Sequence, residues 1–309
     1  MSKIAFVFPG QGSQTVGMGK DLFDNFNEAK DIYARADEIM EMPLSKISFE
    51  GPAELLTQTH ITQPALFVHS YILLKLINGR IIPDTAAGHS LGEYTANVCA
   101  GSFSFEDGLR LVKKRGELMK VSGINRPGTM AAVIGLTPQQ VDEICEEAKE
   151  HQIVQPANYN APGQIVISGD VEAVHRAMKI AKEEPYRSKM VKELQVSGAF
   201  HSELMVTSSE ELKVALENTD VRDPKIPVYS NAEAEPVSEK ELIRNALYRQ
   251  LMSSVKWQGL TENMIKNMNI KKFYEIGPGK VLTGLIKRID PDVELFNIGT
   301  AEDIINLKK

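Results

Sequence analysis

The chain has 309 residues, 42% hydrophobic and 25% charged, which suits a globular protein of one large domain or of a large and a small one. Its 35 Lys and Arg against 41 Asp and Glu leave a net charge of −6, which argues against a nucleic-acid partner. Cys99 and Cys145, without CxxC spacing, argue against a disulfide framework or a thiolate metal site; the longest apolar stretch, 65–77, is broken by His69 and Lys75 and too short to span a membrane.

The first residues, MSKIAFVFPGQG, enter a strand-like run at once and lack the layout of a signal peptide, so a cytoplasmic protein is expected. The β-branched and aromatic run 3–8 predicts a buried strand, ended by Pro9-Gly10-Gln11-Gly12. Helical spacing follows at 28–40 and 64–77, then a strand at 85–89 and helices at 91–100 and 105–122, the last stopped by Gly123. Strands alternating with helices predict a parallel sheet covered on both faces. After Arg126-Pro127-Gly128 the pattern changes to strand 129–134, helix 138–148, strands 153–158 and 164–169, helix 171–181 and strand 189–196. That β-α-β-β-α-β order predicts a ferredoxin-like unit inserted over 127–197. The α/β pattern resumes with helix 202–216, strand 227–229, helix 239–252, strand 272–276, helix 281–289 and strand 294–298. The expected architecture is thus α/β: a hydrolase-like parallel-sheet catalytic domain made of 1–126 and 198–309, carrying the small domain as an insertion.

Within this frame Gly88-His89-Ser90-Leu91-Gly92 stands between a strand and a helix, the Gly-x-Ser-x-Gly arrangement of a nucleophile elbow. The turn exposes the serine hydroxyl, the flanking small residues let strand and helix approach, and the Leu91 N–H points from a helix N-terminus toward a developing oxyanion. A serine nucleophile needs a base. Of six histidines, His151 and His175 lie in charged surroundings, His69 lies within a helix, His60 in a polar loop, and the His89 side chain should point away from Ser90. His201 enters a helix where the chain returns to the large domain, but spacing alone does not select it. The helical wheel of 105–122 turns Leu109, Val112, Gly116 and Met119 inward and lets either Lys113 or Arg115 flank that stripe.

Six motifs in order, FPGQGSQ (8–14), TQPAL (62–66), GHSLGEY (88–94), NYNAPGQ (158–164), SGAFHS (197–202) and EIGPG (275–279), resemble malonyl-CoA:acyl-carrier-protein transacylases and the related acyltransferase domains of polyketide and fatty-acid synthases. The resemblance implies Ser90 as the acylated nucleophile, His201 as its base and then general acid, and Gln250 orienting His201 through a carbonyl. It implies an oxyanion hole of the Gln11 and Leu91 amides and a carboxylate-binding Arg115, with Gln63 and Asn160 lining the pocket. Phe200, beside His201, would crowd an α-methyl branch. The implied reaction carries malonyl from malonyl-CoA through Ser90 to the phosphopantetheine thiol of acyl carrier protein, supplying fatty-acid synthesis, with no metal or redox cofactor and no membrane partner. Residues 176–192 carry six cationic side chains (Arg176, Lys179, Lys182, Arg187, Lys189 and Lys192) against Glu183 and Glu184, so +6 − 2 = +4, a candidate docking face for an acidic carrier. A serine thioesterase or hydrolase shares the elbow but uses an acidic residue to hold its histidine, and none stands out between Ser90 and His201. A non-catalytic carrier-binding scaffold would need neither Ser90 nor His201.

Overall fold

The computed structural model describes residues 2–307. Its ten strands are β1 (Lys3–Phe8), β2 (Thr85–Gly88), β3 (Gly128–Ile134), β4 (Val154–Ala161), β5 (Gln164–Asp170), β6 (Met190–Glu193), β7 (Val228–Tyr229), β8 (Pro236–Val237), β9 (Ile270–Ile276) and β10 (Glu294–Ile298). Six of them form one sheet in the order β10-β9-β1-β2-β7-β8. All its pairings are parallel except β7 with β8. Ala5 to Phe8 of β1 are buried, as a central parallel strand covered on both faces requires. One face packs on helices Asn27–Met40, Thr59–Ile77 and Phe105–Asn125, the other on Trp257–Met268 and Val281–Ile289.

The other four strands form an antiparallel sheet in the order β6-β3-β5-β4, the ferredoxin-like order expected of β-α-β-β-α-β. Helices Pro138–Lys149 and Val171–Ile180 cover one face of it. Met130, Ala157 and Val166, from β3, β4 and β5, join the core of the large sheet instead. Backbone bonds from Tyr159 N–H to the Val255 carbonyl (2.9 Å) and from Val255 N–H to the Ala157 carbonyl (2.8 Å) tie β4 to the segment before Trp257.

Several elements differ from the sequence expectation for physical reasons. The helix read as starting at Pro64 starts at Thr59 and takes His60 with it, because Thr59, Ile61, Thr62 and Gln63 are all buried and their packing outweighs the missing Pro64 N–H. Gly123 does not stop its helix, which runs to Asn125. A side chain at Gly123 would meet the Ser197 carbonyl oxygen at 1.9 Å, so this glycine serves a close crossing of two segments. Helix Trp257–Met268 was not anticipated, although its buried Trp257, Leu260, Thr261 and Met264 recur at helical spacing.

Candidate active site

β1 and β2 lie side by side in register, and the loops that leave their C-terminal ends carry Gln11 and Ser90. A binding crevice at the C-terminal edge of a parallel sheet is where such folds place ligands. The two elbow glycines have separate reasons. A Cβ on Gly88 would come within 1.9 Å of the Gly92 carbonyl carbon, and one on Gly92 within 2.0 Å of the Phe8 carbonyl oxygen. The close contact turns the chain sharply and leaves Ser90 at φ 51, in the left-handed region that non-glycine residues rarely occupy.

The Ser90 hydroxyl faces His201 Nε2 at 2.8 Å. His201 is 4% exposed and also left-handed, at φ 58. Its Nδ1 lies 2.9 Å from the backbone carbonyl of Gln250. A carbonyl can only accept, so Nδ1 carries the proton and Nε2 is free to accept from the serine. Burial, and next the charge of Arg115, push the imidazole down to about 3, so it is neutral at physiological pH. The carbonyl implied for Gln250 is therefore that of its backbone. Its side chain, fully buried, has other partners: Nε2 donates to the Ser90 carbonyl (2.8 Å) and to Glu93 Oε2 (2.8 Å), and Oε1 accepts from Arg115 (2.9 Å).

Lys113 and Arg115 lie in different surroundings. Lys113 turns outward to Glu41 and the Ile39 carbonyl. Arg115 is 1% exposed, and its guanidinium donates to Ser90 Oγ at 3.0 Å and to Gln63 Oε1 at 2.5 Å. It also lies over the Tyr94 ring, 5.6 Å from the centroid. From Gln63 a chain of bonds continues through Thr59 Oγ1 to Gln11 Oε1 (2.8 and 2.9 Å), joining the cation to the loop after β1. Gln11, Gln63, Ser90, Leu91, Arg115, Phe200 and His201 line one cavity of about 120 Å³.

Asn160 is not among the residues that line this cavity. Its Oδ1 accepts at 2.8 Å from Nε2 of His89, which lines the cavity and tilts its ring against Trp257. Two residues along β4, Asn158 lines the cavity in its place, with Met130, Leu194 and Val196 from the same sheet region and Met119 opposite. Alternation along a strand makes 158 and 160 equivalent, but the register shifts between Pro156 and Asn158 and between Tyr159 and Ala161 disturb it locally. Two further residues hold the elbow from beneath, Asn231 and Glu93. Asn231 accepts from the Ser90 N–H (2.6 Å) and donates to the Gly88 carbonyl (2.7 Å). Glu93, inside the elbow motif, is 1% exposed, and burial pushes its carboxyl up to about 7 despite its bonds from Gln250 and Asn231. The GHSLGEY motif contained the glutamate, but nothing in the sequence says that it turns inward.

Among the described residues, no group of three or more His, Cys, Asp or Glu is placed to hold a metal ion, and no helix is long and apolar enough to cross a membrane. The family model for the acyl transferase domain matches residues 5–290. The chain belongs to the acyl transferase family. It is 44% identical over 306 residues to the malonyl CoA-acyl carrier protein transacylase of Bacillus subtilis (strain 168), covering 98% of this chain and 96% of that protein. It is also similar to the crystal structure of an acyl carrier protein S-malonyltransferase from Vibrio cholerae, with TM-score 0.94, 39% identity and coverage of 99% and 100%. A type II PKS acyl-carrier protein in complex with its malonyl-transacylase gives TM-score 0.94 at 38% identity, with 99% of each chain covered.

Proposed function

We propose that this chain is a malonyl-CoA:acyl-carrier-protein transacylase. The observation that carries the reading is the Ser90 hydroxyl held 2.8 Å from a neutral imidazole and 3.0 Å from a buried guanidinium. The first supplies a base for attack on a thioester, and the second a cation for an acyl group that ends in a carboxylate.

In the first half-reaction His201 Nε2 takes the Ser90 proton as Oγ attacks the thioester carbonyl of malonyl-CoA. The oxyanion is received by the Gln11 and Leu91 amides, which border the same cavity. Collapse breaks the C–S bond, His201 returns the proton to the coenzyme A thiolate, and a malonyl ester remains on Ser90. The phosphopantetheine thiol of acyl carrier protein then attacks that ester, and the same proton path runs in reverse to release Ser90. The neutral Gln250 carbonyl orients the imidazole where a Ser-His-Asp triad uses an anion. Arg115 binds the malonyl carboxylate, and Phe200 narrows the space beside its α-carbon. Every group this sequence of steps uses is a side chain or amide of the protein, so the reading requires no cofactor. The small domain, 127–197, supplies one wall of the site and the large domain, 1–126 with 198–309, the nucleophile, base and cation. Both cysteines are free thiols, which suits a reducing, cytoplasmic setting.

Acyl carrier protein docks, in this reading, on the small-domain segment 176–192, where Lys179, Lys182, Arg187, Lys189 and Lys192 are exposed and Arg187 is paired with Glu184. Arg176 is withdrawn from that exposed set by its bonds to the Ala148 carbonyl and Gln152. Added salt should weaken the second half-reaction, and Lys182→Glu with Lys189→Glu should slow it. A salt-independent transfer that tolerates both changes removes this docking face.

Intact-protein mass spectrometry after mixing with malonyl-CoA tests the whole reading. One malonyl adduct is expected on the wild-type chain and none on Ser90→Ala, accompanied by one burst of coenzyme A. Sustained release of free malonate without carrier protein identifies a hydrolase instead.

A further inference from the structure

Two glutamates are buried among the described residues, and they do different work. Glu275 accepts from the Leu282 and Thr283 amides at the start of helix Val281–Ile289. Glu93 sits under the nucleophile elbow; its backbone N–H donates to the Ser90 carbonyl at 3.2 Å, but its side chain hydrogen-bonds to neither Ser90 nor His201. Its Oε2 accepts from Gln250 Nε2 at 2.8 Å and from the Asn231 N–H at 3.1 Å. Each donor in turn grips the reactive groups. Asn231 clamps both sides of the elbow, through the Ser90 N–H and the Gly88 carbonyl. Gln250 holds His201 with its backbone carbonyl, Arg115 with Oε1 and the Ser90 carbonyl with Nε2. One carboxylate thus joins segments 138 and 157 residues away in sequence to the helix that begins at the elbow. Ser90 and His201 are both left-handed, a state that persists where the surroundings over-determine it.

We propose that Glu93 is a positioning residue for acyl transfer. Through Gln250 and Asn231 its carboxylate fixes Ser90, His201 and Arg115 as one unit. It is the counterpart, set one residue further back, of the acid that touches the histidine in a Ser-His-Asp triad. The inference rests on the reading of Ser90 as the nucleophile.

The test uses the full-length chain and follows coenzyme A release in the burst with malonyl-CoA. Glu93→Ala should lower the acylation rate at saturating malonyl-CoA by about 10²-fold, with the half-saturating concentration changed less than about threefold, because Glu93 does not meet the substrate. Both donors go to one oxygen, so the amide oxygen of Glu93→Gln can accept both, and that variant should recover to within about tenfold of wild type. Adding Asn231→Ala to Glu93→Ala should cost little more than the worse single change, as expected of residues that act as a unit. A Glu93→Ala rate within about threefold of wild type overturns the proposal, as does a Glu93→Gln variant that melts like wild type and acylates no faster than Glu93→Ala. Should Glu93→Ala fail to fold, Asn231→Ala carries the test: it keeps the backbone N–H that Glu93 accepts and removes the side chain through which that anchor reaches the elbow, so an unchanged acylation rate in it overturns the clamp. A wild-type chain that gives no coenzyme A burst defeats the transacylase reading instead. Labelling of Ser90 by a fluorophosphonate, slowed in Glu93→Ala and restored in Glu93→Gln, then still decides whether Glu93 positions the nucleophile.

Discussion

At the site, each reactive side chain is held by groups that could not serve if it were exchanged for a near relative. His201 needs one acceptor at Nδ1 and one donor at Nε2, and the Gln250 carbonyl and the Ser90 hydroxyl supply them. His201→Ala should therefore slow acylation by about 10²- to 10⁴-fold, the range for general-base assistance. Combining it with Ser90→Ala should add little in a rate assay, and additive losses would show that the two act independently. Arg115 is the substrate-selecting residue in this reading. Removing one partner of a buried charge pair costs roughly 3–5 kcal/mol, so Arg115→Ala should depress malonyl transfer by a factor of hundreds. Acetyl transfer brings no carboxylate and should change far less. The measured quantity is the ratio of kcat/KM for malonyl-CoA over acetyl-CoA, which should collapse in Arg115→Ala and hold in Lys113→Ala, where a partly exposed pair with Glu41 is lost. The reverse pattern assigns the carboxylate to the wrong cation. The wheel of this helix allowed both residues, and only the packing of the helix Thr59–Ile77 against it, which brings Gln63 to the guanidinium, separates them.

The elements were legible where local chemistry and packing agree, and less so where packing overrules a local signal. The elbow belongs to the first kind: two glycines around a serine at a strand–helix junction have no cheaper explanation than close approach. Gly88→Ala or Gly92→Ala would drive a methyl to about 2 Å from backbone of the facing segment, a contact with no flexible end to yield. Either change should abolish acylation and lower the melting temperature. Gly284→Ala is the counterpart: it lies in helix Val281–Ile289 with nothing within 4 Å of an added Cβ, so it should stabilise by up to about 1 kcal/mol and leave acylation alone. Equal effects at all three positions, read by thermal melts and the coenzyme A burst, would sink the close-approach account. The second kind includes Pro64, which reads as a helix start and lies inside one, and Gly123, which reads as a stop and marks a crossing with Ser197. Asn158 and Asn160 belong here too. Their motif is visible in the sequence, but the irregular pairing of β4 decides which of them faces the cavity.

For the whole molecule, alternation of strands and helices disclosed both sheets, and the change of pattern after Arg126 disclosed the second. What the sequence hid is the set of charged or titratable groups that folding removes from water, because inward orientation is a property of the assembled core. Those groups set how stability depends on pH. Burial pushes His69 down to about 4 and His201 to about 3, and lowers His89. In the unfolded chain each titrates near 6.5. Below that pH the unfolded state binds protons that the native state refuses, so this contribution is present above 6.5 and is lost as pH falls toward the folded values. Glu93 works the other way: its folded carboxyl, near 7, keeps a proton that the unfolded one releases above 4.5, so it adds stability as pH falls through 7. Between pH 6.5 and 4.5, His69 and His201 together outweigh Glu93 by one proton, before any share from His89 and His60, which burial also lowers. That gives a loss on the order of 1.4 kcal/mol per pH unit. The melting temperature should fall across that window. His69 lies 3.1 Å from the Gly299 carbonyl through Nε2, and His69→Gln keeps a donor while removing the titration, so it should flatten the slope by about one proton. Glu93→Gln should steepen it by a similar amount. A melting temperature that rises from pH 6.5 to 4.5, or a slope indifferent to both substitutions, means that other groups govern the acid response of this fold.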